Sequence, residues 1–237
     1  MQNNGRNNRR DSQNPQFGQP RTDGGLLDDA LLQIIGRDEV EGATQGDGIQ
    51  SEEERTDSRN RQNEKNLELF AKSKGAWIDE PDEYLEGKYG KFFAHGSESY
   101  VYRKDFDTVV KTRSFIGYDT VEQALTSIKI HNLLFPETAL KIVAFGRSFD
   151  EFNVVMEQTN IDGNFADKDA IEAFVKERFN AEKDDSVIGG NSYKTDEYLL
   201  QDLKPKNVLV KKVNGEKKFF VIDGDFYYNN LTIKKGN

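Results

Sequence analysis

The rhythm of apolar and polar positions changes several times along the chain, and each change marks an element. Three β-rich runs, Lys91-Phe92-Phe93-Ala94, Tyr100-Val101-Tyr102-Arg103 and Thr108-Val109-Val110-Lys111, are separated by short polar breaks. They predict an antiparallel meander. From Thr120 to Leu134 the apolar positions Val121, Ala124, Leu125, Ile128, Leu133 and Leu134 approximate a helical period, and Pro136 ends the run. Two further strands, Ala139 to Phe145 and Phe152 to Met156, pair across Asp150-Glu151. Ala170, Ile171, Phe174, Val175 and Phe179 then share one side of a helix over 167–182. After a polar loop around Gly189-Gly190-Asn191, the chain reaches Tyr198-Leu199-Leu200. A hairpin follows, with Val208-Leu209-Val210 and Phe219-Phe220-Val221-Ile222 flanking Asn214-Gly215, a strong two-residue turn signal. Strands and helices in this order predict an α+β domain.

The pattern fails near residue 65. Up to that point the chain is rich in Asn, Gln, Arg, Gly, Asp and Ser with few aromatics, too little apolar surface to offset chain entropy. The expectation is a disordered polar tail over 1–65 and one folded domain over 66–237. Within the tail, Leu26, Leu27, Ala30, Leu31, Ile34 and Ile35 recur at helical spacing before Gly36. An isolated helix that short is marginal in water. The segment 25–36 is therefore expected to dock, on a protein partner or on its own domain. A second helix, Glu64 to Lys74 with Leu67, Phe70 and Ala71 inward, leads to Trp77.

Composition narrows the setting. The chain has no cysteine, which excludes a disulfide framework and thiolate metal sites. No apolar stretch approaches membrane-spanning length, and Met1-Gln2-Asn3-Asn4-Gly5-Arg6 has no signal-peptide core. A soluble, cytoplasmic protein with no membrane association is expected. The net charge of −9 argues against general nucleic-acid binding but leaves room for a local basic patch.

The candidate chemistry lies at the end of the chain. Asp202-Leu203-Lys204-Pro205-Lys206-Asn207 sets a carboxylate five residues before an amide, and Asp223 closes the last apolar strand. Such a loop can point the carboxylate at an incoming hydroxyl and the amide oxygen at a cation on nucleotide phosphates. Mg²⁺ needs few protein oxygens, because phosphate and water complete its shell. Lys204 adds positive charge where a transferred phosphoryl group is most negative, and Pro205 stiffens the loop. Upstream, the small polar turn with Gly96, Ser97 and Ser99 would let backbone amides approach phosphate oxygens. His131 reads as a packed helix residue and His95 as a turn residue.

From Trp77 to Phe226 the chain resembles the small kinase-like domains of polyvalent proteins from bacterial conjugative elements and phages. The resemblance rests on Gly96-Ser97-Glu98-Ser99-Tyr100-Val101-Tyr102, His131-Asn132-Leu133-Leu134-Phe135-Pro136-Glu137-Thr138 and Asp202-Leu203-Lys204-Pro205-Lys206-Asn207. It implies a minimal protein-kinase-like fold, with an N-lobe over about 77–157 and a truncated C-lobe over about 158–237. Asp202 would be the catalytic base, with Asn207 and Asp223 holding Mg²⁺. Lys111 would pair with the ATP phosphates, Glu122 would hold Lys111, and Val109 would line the adenine pocket. Main-chain groups near Met156, Glu157 and Gln158 would meet the adenine edge. The chain departs from the pattern in reading Asp223-Gly224-Asp225-Phe226 rather than Asp-Phe-Gly, so Asp225 competes with Asp223 for the metal role. Eleven residues follow Phe226, too few for the activation segment and helices with which an ordinary kinase holds a peptide, so the expectation leans away from a large protein substrate. Two function classes stand: ATP- and Mg²⁺-dependent transfer to a hydroxyl acceptor, or a catalytically inactive nucleotide-binding or interaction module.

Overall fold

The computed structural model describes residues 25–41, 52–96, 99–148, 151–187 and 191–229. The expected tail segments 1–24 and 42–51, Ser97, Asp150 and Gly189-Gly190 lie outside the described residues. The first part of the chain runs α1 (Leu26–Glu41), α2 (Glu52–Ser73), β1 (Trp77–Asp79), α3 (Pro81–Tyr89), β2 (Ala94–His95), β3 (Ser99–Arg103) and β4 (Thr108–Ser114). Then come α4 (Val121–Leu134), a 3-10 turn at Pro136–Thr138, β5 (Lys141–Ser148) and β6 (Glu151–Thr159). The second part is β7 (Asn164–Phe165), α5 (Lys168–Phe179), β8 (Glu182–Lys183), β9 (Tyr193–Lys194) and β10 (Tyr198–Gln201). A 3-10 turn at Pro205–Asn207, β11 (Val208–Val213), β12 (Glu216–Val221) and β13 (Asp225–Tyr228) complete it.

The fold is α+β and kinase-like. Strands β1 to β6 form one sheet in the order β1-β5-β6-β4-β3-β2, antiparallel except for the β1–β5 pair. The second part contains two small antiparallel sheets, β13-β10-β9-β8 and β12-β11-β7. Alternation along β4 decides what each face of the large sheet meets. Val110 packs with Ile78, Leu85, Tyr102 and Val155 under α3. On the other face, Phe145, Val154 and Met156 pack against Leu125 and Ile128 of α4 and against α1 and α2. Helix α4 also joins the second core, where Ile130 meets Ile171, Leu200, Leu203 and Phe226.

Helix α4 starts where Thr120 caps it, its side chain accepting from the Gln123 amide at 3.0 Å. Asp167 caps α5 in the same way, and Asn180 ends it in the left-handed conformation. The N-terminal helices depart from the composition-based expectation. Helix α2 begins at Glu52, so the boundary near residue 65 falls inside it. Its polar first half supplies good helix formers and an exposed face, while Leu67, Phe70 and Ala71 are buried. Asn60 donates to the Asp119 carbonyl at 2.6 Å, and Glu64 pairs with Arg147 at 3.0 Å. Helix α1 docks on its own chain: Ala30, Leu31 and Ile34 are buried in the first core. It also runs past Gly36 to Glu41, since one helical glycine costs only about 1 kcal/mol. Among the described residues no helix is long and apolar enough to cross a membrane.

Candidate active site

The loop after β10 turns sharply at Asp202, whose φ of 57° is left-handed, a conformation Asp tolerates better than most residues. The turn is held by its own polar groups. Asn207 Nδ2 donates to the Asp202 carbonyl at 2.8 Å and to the Asp202 carboxylate at 2.9 Å. Both bonds orient the amide, which leaves Asn207 Oδ1 as an acceptor with no partner among the described residues. Lys204 Nζ lies 2.6 Å from the other Asp202 oxygen, in a half-buried pair. The Ile222 amide donates to the Asn207 carbonyl at 2.9 Å, so this loop lies beside the segment that carries Asp223.

Residues 221–226 pair through the main chain with β11 at Val221 and with β10 at Asp225 and Phe226, and side chains from the six-stranded sheet, from α4 and from the segments flanking α4 hold them from the other side. Lys111 Nζ donates to the Ile222 carbonyl at 2.8 Å, and Gln158 Nε2 reaches the same oxygen at 3.2 Å. Thr138 Oγ1 donates to the Val221 carbonyl at 2.5 Å, and the Phe226 amide donates to Ser127 Oγ at 2.9 Å. Arg113 pairs with Asp225 at 2.5 Å and with Asp223 at 3.7 Å. Tyr118 donates to the same Asp225 oxygen at 2.6 Å. Gly224 sits between the two carboxylates because a Cβ there would lie 2.8 Å from the Phe226 ring, and its φ is 156°. Asp225 therefore anchors the segment. Asp223 Oδ1 takes the Gly224 amide at 3.1 Å and faces Arg113, while Oδ2 has no protein partner among the described residues.

The charges are tuned by this packing. Burial alone would raise the Asp223 carboxyl, but Arg113 and Lys111 outweigh it and hold it below the ordinary carboxylate range. Burial pulls the Lys111 ammonium below its ordinary range, against the opposing pull of Asp223. Burial opposes the Arg113 charge too, yet Asp223, Tyr118 and Asp225 keep its pKa raised. Asn207 Oδ1 and the free oxygen of Asp223 suit a hard cation that completes its shell with phosphate and water. Among the described residues no group of three or more His, Cys, Asp or Glu gathers as a self-sufficient metal cage.

The remaining sequence-predicted residues divide. Val109, Lys111 and Arg113 alternate onto the face that meets residues 221–226, and Val109 is buried opposite Gln158. Gly96 donates its amide to the Ser99 carbonyl at 2.8 Å and closes the polar turn. The expected pairing of Glu122 with Lys111 is not formed. Glu122, one position into α4, faces Arg59 of α2 at 3.9 Å on the exposed side, whereas Ser127 occupies the inward side. Met156 and Glu157 have strands on both sides, with Glu157 also paired to Lys104 at 2.5 Å. Sheet pairing with β5 ends at Glu157, so main chain open on one side begins only at Gln158, whose side chain is turned inward. Sequence reasoning missed Arg113, Tyr118, Ser127 and Thr138. For Arg113 a signal existed, because its offset of two from Lys111 puts both on one strand face.

A family model described as serine/threonine/tyrosine kinase found in polyvalent proteins matches residues 60–230. No curated protein matches the chain.

Proposed function

The chain belongs to the family of serine/threonine/tyrosine kinases found in polyvalent proteins, and on that premise we propose that it transfers the γ-phosphoryl group of ATP to a hydroxyl acceptor in the presence of Mg²⁺. The observation that carries this reading is the tie between Ile222 and Asn207, which sets Asp202, Asn207 and Asp223 side by side. Asp202 orients the acceptor hydroxyl and takes its proton as the acceptor oxygen bonds to the γ-phosphorus. The bond from that phosphorus to the bridging oxygen breaks, and ADP leaves. Lys204 spends one donor on Asp202 and keeps two for the moving phosphoryl oxygens. Lys111 likewise keeps two donors beyond its bond to Ile222 for the α- and β-phosphates. Asn207 and Asp223 would hold the cation, which when bound neutralises charge on the phosphate oxygens. Catalysis on this reading is mostly positioning and electrostatics.

The experiment is incubation of the purified chain with Mg²⁺ and γ-labelled ATP, beside Asp202→Asn and Lys111→Ala, read by intact mass and label counting. Label on the wild type that both variants lose supports transfer, with the Ser- and Thr-bearing N-terminal segment as the simplest available acceptor. Absence of label together with absence of a thermal shift by Mg-ATP overturns it. A second reading, a nucleotide-binding or interaction module without transfer, draws on Lys111, whose bond goes to a main-chain carbonyl rather than to a carboxylate from α4. That module would show the thermal shift without the label.

A further inference from the structure

The hairpin that leaves the catalytic loop sets like charges directly opposite each other. Lys211 pairs with Lys218 across β11 and β12, and Lys212 pairs with Lys217. All four are exposed, and none has a carboxylate partner among the described residues. Like charges at directly opposed strand positions destabilise a sheet. Between residues 204 and 221 the chain carries six lysines and a single glutamate, within a protein of net charge −9. A lysine on an edge strand can serve only to prevent aggregation. That role does not call for two opposed pairs, one on each face of a ribbon that extends beyond the reach of β7.

We propose that this hairpin docks an acidic polypeptide segment of the acceptor protein. The docking follows from the hairpin's charge alone; the word acceptor rests on the phosphotransferase reading. At about 3.3 Å per residue, Lys211 and Lys212 lie on the order of 13–17 Å along β11 from Asn207. An extended segment covers that span in four or five residues, which places the acidic residues at least that far from the acceptor hydroxyl. The acidic remainder of the chain repels a long polyanion, whereas a short acidic stretch feels mainly the local lysines. A polypeptide is therefore favoured over nucleic acid.

The test uses the full chain and the variant Lys211→Gln/Lys212→Gln/Lys217→Gln/Lys218→Gln. Removing opposed charges leaves the hairpin's apolar face intact, so the variant melts no lower than the wild type. Three labelled probes are titrated by fluorescence anisotropy: a glutamate-rich peptide bearing one serine, its glutamine counterpart, and an oligodeoxynucleotide of the same charge. The expected result is salt-sensitive binding of the glutamate peptide, weakened about tenfold or more in the variant, with an unchanged Mg-ATP thermal shift. Equal binding by variant and wild type, no binding by the wild type, or a preference for the oligodeoxynucleotide overturns the proposal. Lysine-dependent peptide binding without phosphoryl transfer keeps the docking surface and rejects the catalytic reading instead.

Discussion

Around the six-stranded sheet, cohesion comes from apolar side chains of five elements, with Ile34, Leu67, Leu125, Phe145 and Met156 sharing one core. Around residues 221–226, beside main-chain pairing with β10 and β11, it comes from polar side chains that cross from that sheet, from α4 and from the segments flanking α4 to carbonyls, amides and carboxylates of a short loop. An apolar core tolerates small sliding, whereas hydrogen bonds and ion pairs fix direction as well as distance. The difference explains how short strands and loops can carry a site of defined geometry. The second part of the molecule supplies Asp202, Asn207 and Asp223; the first part aims Asp223, while Asp202 and Asn207 hold each other.

Breaking the polar crossing should be costly. Arg113→Met leaves Asp223 and Asp225 without their shared cation, and a loss of about 2–4 kcal/mol is expected in urea unfolding, reduced from a fully buried pair by their partial exposure. Adding Asp225→Leu should recover more than half of that loss, because it removes an uncompensated carboxylate. An additive loss would mean that the two residues do not work as a pair.

The crossing also predicts a pH dependence. His131 is 1% exposed, and burial pulls its imidazole down to about 4, against the raising effect of its bond to the Thr138 carbonyl. The unfolded chain takes up a proton near pH 6.5 and the folded one does not, so stability falls as pH drops from 6.5 toward 4. About 2 kcal/mol should be lost between pH 7 and pH 5. His131→Gln should flatten that slope even though it lowers the starting stability; an unchanged slope would assign the acid sensitivity elsewhere. The smallest effect belongs to the scaffold itself: Thr120→Ala removes the α4 cap and should cost about 1 kcal/mol without altering nucleotide affinity. A fall in affinity as large as the fall in stability would show that the two regions are not separable in this way.

Legibility in the sequence followed the same division. Helix α4, helix α5 and the hairpin around Asn214-Gly215 could be read because period, caps and turn residues are local signals. The start of α2 could not, since Glu52 to Asn63 presents a polar helix whose tertiary contacts reach distant Asp119 and Glu122. Asp202, Lys204 and Asn207 were visible as a spacing, and the structure places them in one loop. The partner of Lys111 was not visible, because main-chain carbonyls leave no mark in a sequence. Asp223 and Asp225 could not be separated by order alone; they differ in what reaches them, Arg113 and Tyr118 committing Asp225 inward.

The central claim is that residues 221–226 are held so that Asp223, beside Asn207, receives the cation of a bound nucleotide. Thermal melting of the wild type and of Asp223→Asn, each with ATP plus Mg²⁺ and with ATP plus a chelator, tests it most directly. The account predicts a Mg²⁺-dependent rise in melting temperature for the wild type that Asp223→Asn lacks and Asp202→Asn keeps. An equal rise in the wild type and Asp223→Asn, or one indifferent to the chelator, would contradict it.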